Sequence, residues 1–305
     1  MENKKISFKD TLKSADTEEF TDIWFYRPIG YCWALLFRKL GIVPNAVTIA
    51  AIFIGVGGGI LFYYNDLVTN IFGMALLIWA NSYDSADGQL ARMTGQKSNI
   101  GRILDGVCGD LWFFAIYIAL CLRMYNNGTA WYIICPLALA AGYSHLKQAS
   151  MADYYRNIHL LFLNGKSGSE VDSSEKLTKE YKSYTWKKNF WVKLVAFFYR
   201  NYTSGQEQTT PRLQEMLYEL QILYGDNVPD QFRAAFREKS KPLMKYTNML
   251  SFNTRVFVLF VGLFLNQVWI YFVFELTVLN VMLIYMLSVH EKFCKYFTRK
   301  IKEEN

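Results

Sequence analysis

Ile71-Phe-Gly-Met-Ala-Leu-Leu-Ile-Trp-Ala-Asn-Ser-Tyr-Asp84-Ser-Ala-Asp87-Gly88-Gln-Leu-Ala91-Arg92 begins as an apolar helix and ends in carboxylates. On a helix, positions 84, 87, 88 and 91 share one face, so two acids stand beside two residues too small to block a ligand's approach. Eight residues separate Arg92 from Gly101, and three more separate Gly101 from Asp105. Acidic groups at the polar end of an apolar bundle are one way to build a site for a divalent ion and a diphosphate.

The rest of the chain decides where that bundle sits. Its 305 residues are 52% hydrophobic and 17% aromatic, enough for a large aqueous core or for lipid, and segment length favours lipid. Residues 46–63, 71–83 running on into the motif, 111–122, 129–144, 256–265 and 268–288 are largely apolar. Several approach the ~20 residues needed to cross a hydrocarbon core. The shorter runs extend through polar flanks at the motif, at 101–110 and at 250–255, which is tolerated where helix ends face a shared cavity. The expectation is an all-α integral membrane protein. It has a six-transmembrane-helix bundle, an N-terminal interfacial amphipathic helix and a helical cytoplasmic insertion between helices 4 and 5.

Four segments follow from this reading. Residues 1–43 form a polar head, then an aromatic amphipathic stretch for the interface. Residues 44–163 hold transmembrane helices 1–4, opened by Pro44. Residues 164–248 form a charged insertion, turn-rich and mobile at its start, with amphipathic helices expected over 186–199, 211–223 and 230–238. Residues 249–305 hold helices 5 and 6 and a basic tail.

Lys97, Arg102, the insertion and the tail are cation-rich, whereas the loops at 64–70, 124–128 and 266–267 carry none, although Arg123 borders one of them. Short basic loops stay cytoplasmic, so the protein is expected to be multi-pass with both termini and the motif on the cytoplasmic side. No charged start, apolar run and small-residue cleavage site announces a removable signal. The net charge of +7 lies beside the spans, which points to anionic lipid heads rather than nucleic acid. Five cysteines at 32, 108, 121, 135 and 294 show no paired spacing, against a disulfide framework or zinc site.

The spacing Asp84-x2-Asp87-Gly88-x2-Ala91-Arg92-x8-Gly101-x3-Asp105 resembles the signature of the CDP-alcohol phosphotransferases, also called CDP-alcohol phosphatidyltransferases. Gly41-Ile-Val-Pro44-Asn-x2-Thr48 also looks like that family's usual start, although Pro-Asn openings of helices are common. The resemblance implies Asp84, Asp87 and Asp105 as metal ligands. Gly88 and Ala91 would let the nucleotide approach, Arg92 would hold a phosphate or brace the motif, and Gly101 would keep the facing helix close, so that the four surround the CDP moiety. The family's fourth aspartate ligates metal and takes the acceptor's proton, and Gly109 occupies that register here. At about 100° per residue, Asp110 swings about 140° from Asp105. A one-residue π-bulge eased by Gly106 and Gly109 returns it, making Asp110 the expected fourth ligand and, with Asp105, the catalytic pair, with Asp110 as base. Without the bulge, the site holds nucleotide and turns over poorly, or uses another base.

Oxygen ligands without paired histidines suit Mg²⁺ or Mn²⁺, and two ions are expected. The implied activity is transfer of a substituted phosphate from a CDP-linked donor to an alcohol hydroxyl with release of CMP, in phospholipid or sphingolipid biosynthesis. One of the two substrates is a lipid, either the donor or the acceptor. The resemblance also implies a homodimer. Competing readings are a catalytically weakened nucleotide- or lipid-binding relative, or a membrane cation transporter. Lys147 and Arg156 are acceptor-phosphate candidates that topology alone also explains. Glu275 and Asn280 lie in the sixth span, where such groups serve function or helix packing.

Overall fold

The computed structural model describes residues 8, 14, 16–96, 99–165 and 171–303, which are helix and connecting turn with no strand among them. Lys97, the turn-rich stretch 166–170 and most of the polar head before residue 16 lie outside the described residues. A π-helical turn over Asp22–Tyr26 leads into α1 (Arg27–Lys39), followed by α2 (Pro44–Leu61), α3 (Leu67–Thr94), α4 (Asn99–Asn126) and α5 (Trp131–Asn164). The insertion holds α6 (Ser174–Ser183), α7 (Phe190–Thr209), α8 (Pro211–Tyr224) and α9 (Asp230–Ser240). Then come α10 (Met244–Met249), α11 (Phe252–Phe264), α12 (Trp269–Phe274), a π-helical segment at Glu275–Leu279 and α13 (Asn280–Glu303).

Four helical stretches among the described residues are long and apolar enough to cross a membrane: Pro44–Leu61, Leu104–Asn126, Asp230–Phe264 and Trp269–Glu303. The protein is an integral membrane protein by that measure. The expected second and fourth spans, α3 and α5, have the length at 28 and 34 residues but mix polar residues into it.

The chain divides into two compact units, residues 1–144 with 252–277 and residues 145–251 with 278–305. In the first, α2 is the hub. Pro44 sets its first turn behind an extended Val43, and Asp66 caps α3 by accepting from Thr69 N at 2.7 Å. That bond, with a second from the Thr69 hydroxyl, holds the Asp66 carboxyl below the usual range. A Cβ on Gly58 would meet the Gly73 carbonyl of α3 at 2.8 Å, so these two helices touch backbone to backbone. On the neighbouring face, Gly55 accommodates the Trp112 indole of α4, whose Nε1 donates to the Ala51 carbonyl at 3.0 Å.

Buried charges complete this unit. Arg123, 1% exposed, donates to the Phe62 carbonyl (3.0 Å), Asn70 Oδ1 (3.2 Å) and Asn266 Oδ1 (2.7 Å), and so closes the C-terminal end of α2. Glu275 pairs with Arg255 and accepts from the hydroxyls of Tyr117 and Tyr271 at 2.8 Å each. Its place in the sixth expected span is therefore explained by packing, because a buried carboxylate needs such partners.

In the second unit, α8 packs on α13, and of the expected apolar stripe Leu213, Met216, Leu217 and Leu220 all but the half-buried Leu217 are buried. The Glu291 carboxylate receives the first amides of α8, Arg212 N at 2.8 Å and Leu213 N at 3.2 Å, as the helix dipole favours. Arg233 closes the far end of α5 through the Phe162 and Leu163 carbonyls, both at 3.0 Å. Asn280 accepts from Gln148 at 2.8 Å, again a packing role. Phe190, Trp191 and Phe198 of α7 stand exposed, in keeping with the expected interfacial face, whereas α6 was not anticipated.

The Gly58–Gly73 crossing makes a sharp demand. Gly58→Ala forces a carbon against backbone and is expected to cost about 1–3 kcal/mol. Gly57→Ala meets nothing within 4 Å and should leave stability unchanged or raise it by up to ~1 kcal/mol. Thermal melting of both purified variants in detergent checks this, and equal melting temperatures would contradict the crossing.

Candidate metal and nucleotide site

Asp84 and Asp87 arrive on the last three turns of α3 and Asp105 on the second turn of α4. One carboxylate oxygen from each lies within 4.8 Å of the other two. Asp87 is 4% exposed, Asp84 half-buried and Asp105 exposed, so the group opens to solvent on the α4 side. At 4.8 Å and an effective dielectric of about 20, each carboxylate pair repels by roughly 3 kcal/mol. Three hard oxygen donors under that repulsion suit a divalent cation such as Mg²⁺ or Mn²⁺.

Two neighbours hold these acids in place. Thr48, on the first turns of α2, donates from Oγ1 to Asp87 Oδ2 at 2.5 Å, with the Pro44 carbonyl 3.2 Å from the same hydroxyl. The buried Cys108 thiol of α4 hydrogen-bonds to Asp84. Both bonds fix carboxylates from outside the ligand set, the arrangement that tunes bound metals.

The small residues do what their size allows. The nearest atoms to a Cβ built on Gly88 are the Arg92 guanidinium nitrogens, at 3.5 and 3.6 Å, so the backbone beside Asp87 is bare except for that cation. Ala91 is half-buried on the same helix face, and Gly101 sits one turn before Asp105 on α4. Arg92 feels the carboxylates of Asp87, Asp105 and Glu18.

Asp110 stands apart. The expected π-bulge is absent: α4 is regular α-helix from Asn99 to Asn126, and Asp110 is exposed and outside the three-carboxylate group. The backbone follows the ordinary turn angle, which leaves Asp110 about 140° round the helix from Asp105. Arg156, the acceptor-phosphate candidate, donates to Ser251 Oγ at 2.9 Å and Asn248 Oδ1 at 3.3 Å and belongs with Lys147 to the second unit, whereas the motif belongs to the first.

An apolar groove of about 220 Å³ between α1 and α3, lined by Phe25, Trp33, Ile78 and Trp79 among others, lies on the opposite side of α3 from the carboxylates. It is not part of this site.

Thr48 enters the sequence pattern only as part of a helix opening, and Cys108 only as an unpaired cysteine, so neither is marked there as a neighbour of the acids. The four-residue step from Pro44 to Thr48 was the available signal, since it puts a hydroxyl one turn inside the helix.

Removing the Thr48 hydroxyl frees Asp87 to turn away. Thr48→Val is expected to weaken Mn²⁺ binding about 10–100-fold, with Thr48→Ser close to wild type. Titration of the purified protein followed by electron paramagnetic resonance reads this directly, and unchanged affinity in Thr48→Val would remove Thr48 from the site.

No curated protein and no solved structure matches the chain. Residues 41–158, which span α2, α3, α4 and most of α5, match the family model of the CDP-alcohol phosphatidyltransferases. That stretch runs from the loop before Pro44 past Thr48 and all the matching motif residues, so residues 41–158 are similar to the CDP-alcohol phosphatidyltransferase domain.

Proposed function

We propose that the protein moves a substituted phosphate from a CDP-linked donor to an alcohol hydroxyl and releases CMP, with one of the two substrates a lipid. The observation that carries this reading is the convergence of Asp84, Asp87 and Asp105 beside the bare backbone of Gly88. Two Mg²⁺ or Mn²⁺ ions held by these acids supply charge neutralisation of the diphosphate and of the departing CMP.

The chain's own residues bind and orient. Gly88 and Ala91 leave room for the nucleotide to lie against α3, and Arg92, folded over Gly88, meets a phosphate oxygen. The acceptor oxygen bonds to the donor phosphorus as the phosphoanhydride bond to CMP breaks, and the hydroxyl proton passes to a base. Asp110 takes that proton if α4 rewinds by one residue over Gly106 and Gly109 when substrates bind. The regular course of α4 favours a second reading, a member of the same fold that binds the nucleotide and turns over weakly.

The proposed setting is a six-span bundle in which α3 and α5 also cross, with the motif and both termini on the cytoplasmic side and two copies forming a dimer. The basic tail and the cation-free loops support that orientation.

The test is CMP release by purified protein against a panel of CDP donors and alcohols, with Mg²⁺, Mn²⁺ or chelator. Chelator and Asp84→Asn are each expected to lower the rate at least ~100-fold. Asp110→Asn is expected to do the same under the first reading. Full activity in Asp110→Asn removes it as the base, and no CMP release with any pair, alongside metal-dependent CDP binding, establishes the weakened member.

A further inference from the structure

Arg27 opens α1, and the structure ties that end of α1 to the motif helix. Gln89 Nε2 of α3 donates to the Arg27 carbonyl at 3.0 Å. A Cβ on Gly30 would lie 2.9 Å from both Gln89 Nε2 and Ser85 Oγ, so only glycine lets α1 seat this closely on α3. Gln89 lies three residues before Arg92, which places the root of the Arg27 side chain next to the helix face that carries Arg92, the guanidinium folded over Gly88.

The Arg27 side chain is only 14% exposed, and its one hydrogen bond to the protein among the described residues runs from Nε to Glu18 Oε2 at 2.9 Å. Glu18 is more deeply buried, at 3%, and so acts as a fixed brace rather than a mobile surface partner. A guanidinium held along its Nε edge keeps the remaining donors, on Nη1 and Nη2, oriented in one plane, the geometry that recognises phosphate oxygens. Arg27 and Arg92 repel one another, with Glu18, Asp105 and Asp87 pulling the opposite way.

We infer that Arg27, braced by Glu18, is a second phosphate-binding guanidinium of this site, gripping with Arg92 the oxygens of a nucleoside diphosphate on the side away from the carboxylates. The ligand class is a nucleotide with two linked phosphates. Three carboxylates serve cations on one side of such a group, and the phosphate oxygens that face away from them need donors of their own. This inference rests on the proposed CDP-dependent reading and adds a residue from a helix that lies outside the matched family region. The competing explanation is a purely structural pin, in which the Arg27–Glu18 pair only fastens the N-terminal segment to α1.

Binding of CDP and of CMP to the full-length protein in detergent, measured by calorimetry with saturating Mn²⁺, separates the two. Wild type is expected to prefer CDP over CMP. Arg27→Gln is expected to weaken CDP at least ~10-fold, about the loss of one charge-assisted contact, while changing CMP little, so that the preference collapses with Mn²⁺ affinity unchanged. Arg27→Lys keeps the charge without the fork and should recover part of the loss. Should Arg27→Gln fail to fold, Glu18→Gln, which frees the guanidinium without deleting it, is expected to narrow the CDP preference by about 3-fold or more. A preference for CDP that survives in the folded variant overturns the inference and leaves the pin. Wild-type protein that binds no CDP with Mn²⁺ overturns the proposed function itself, a different result from either.

Discussion

Three like charges held within 4.8 Å are the constraint around which the first unit is organised. Each pair costs roughly 3 kcal/mol, and flexible helix ends would relieve that by moving apart. They are prevented from doing so at α2. Gly58 fixes the crossing of α2 with α3, Gly55 admits Trp112 of α4, and Thr48 reaches Asp87 ten residues before the Gly58 crossing. Ten residues of helix are about 15 Å, so a crossing set by glycines at one depth determines whether a hydroxyl meets a carboxylate at another. Lengthening the side chain at Gly58 therefore acts on the site through leverage.

The course of α4 shows why a permissive sequence is not an instruction. Gly106 and Gly109 make a π-turn easier, yet the helix stays regular there, while π-helical turns occur at Asp22–Tyr26 and Glu275–Leu279. The second of these is instructive. Glu275 is pulled into place by Arg255, Tyr117 and Tyr271, three partners that offset the irregular backbone. At Gly106 and Gly109 nothing lies within 4 Å of the Cβ positions, so no comparable tertiary contact holds a wider turn open. A bulge is kept by what it presents its side chain to, and the regular turn leaves Asp110 outside the group formed by Asp84, Asp87 and Asp105.

What the sequence made legible follows the range of the interactions involved. Asp84, Asp87, Gly88 and Ala91 share a face because of helical periodicity alone, and the motif spacing brought in Asp105, so the acidic group was readable. The α8 stripe of Leu213, Met216 and Leu220 was readable for the same reason. Thr48 was not, because its bond to Asp87 joins residues 39 apart and depends on a helix crossing. Arg27 was not, because a cation at the start of an amphipathic segment has an ordinary interfacial explanation, and only its brace by buried Glu18 sets it apart. The α6 helix escaped notice because a single apolar residue, Leu177, is buried along it, leaving no periodic pattern to read.

Arg123 runs against the charge asymmetry, since it borders a loop on the side without cations. Its burial resolves this: a guanidinium that is 1% exposed and donates to the Phe62 carbonyl, Asn70 and Asn266 is part of the packing, whereas the topology rule concerns loop cations left free beside the membrane. Its position also completes the logic of α2, a helix with no ionisable residue of its own. A carboxylate from α3 engages Thr48 at one end of α2, and a guanidinium from α4 engages the Phe62 carbonyl at the other, fourteen residues or about 21 Å away. Both contacts match the polarity of the group they meet, a donor hydroxyl for the acid and a helix C-terminus for the cation. The apolar helix is thus registered against both motif-bearing helices by polar contacts at its two ends and by glycines between them, and the carboxylates inherit their separation from that registration.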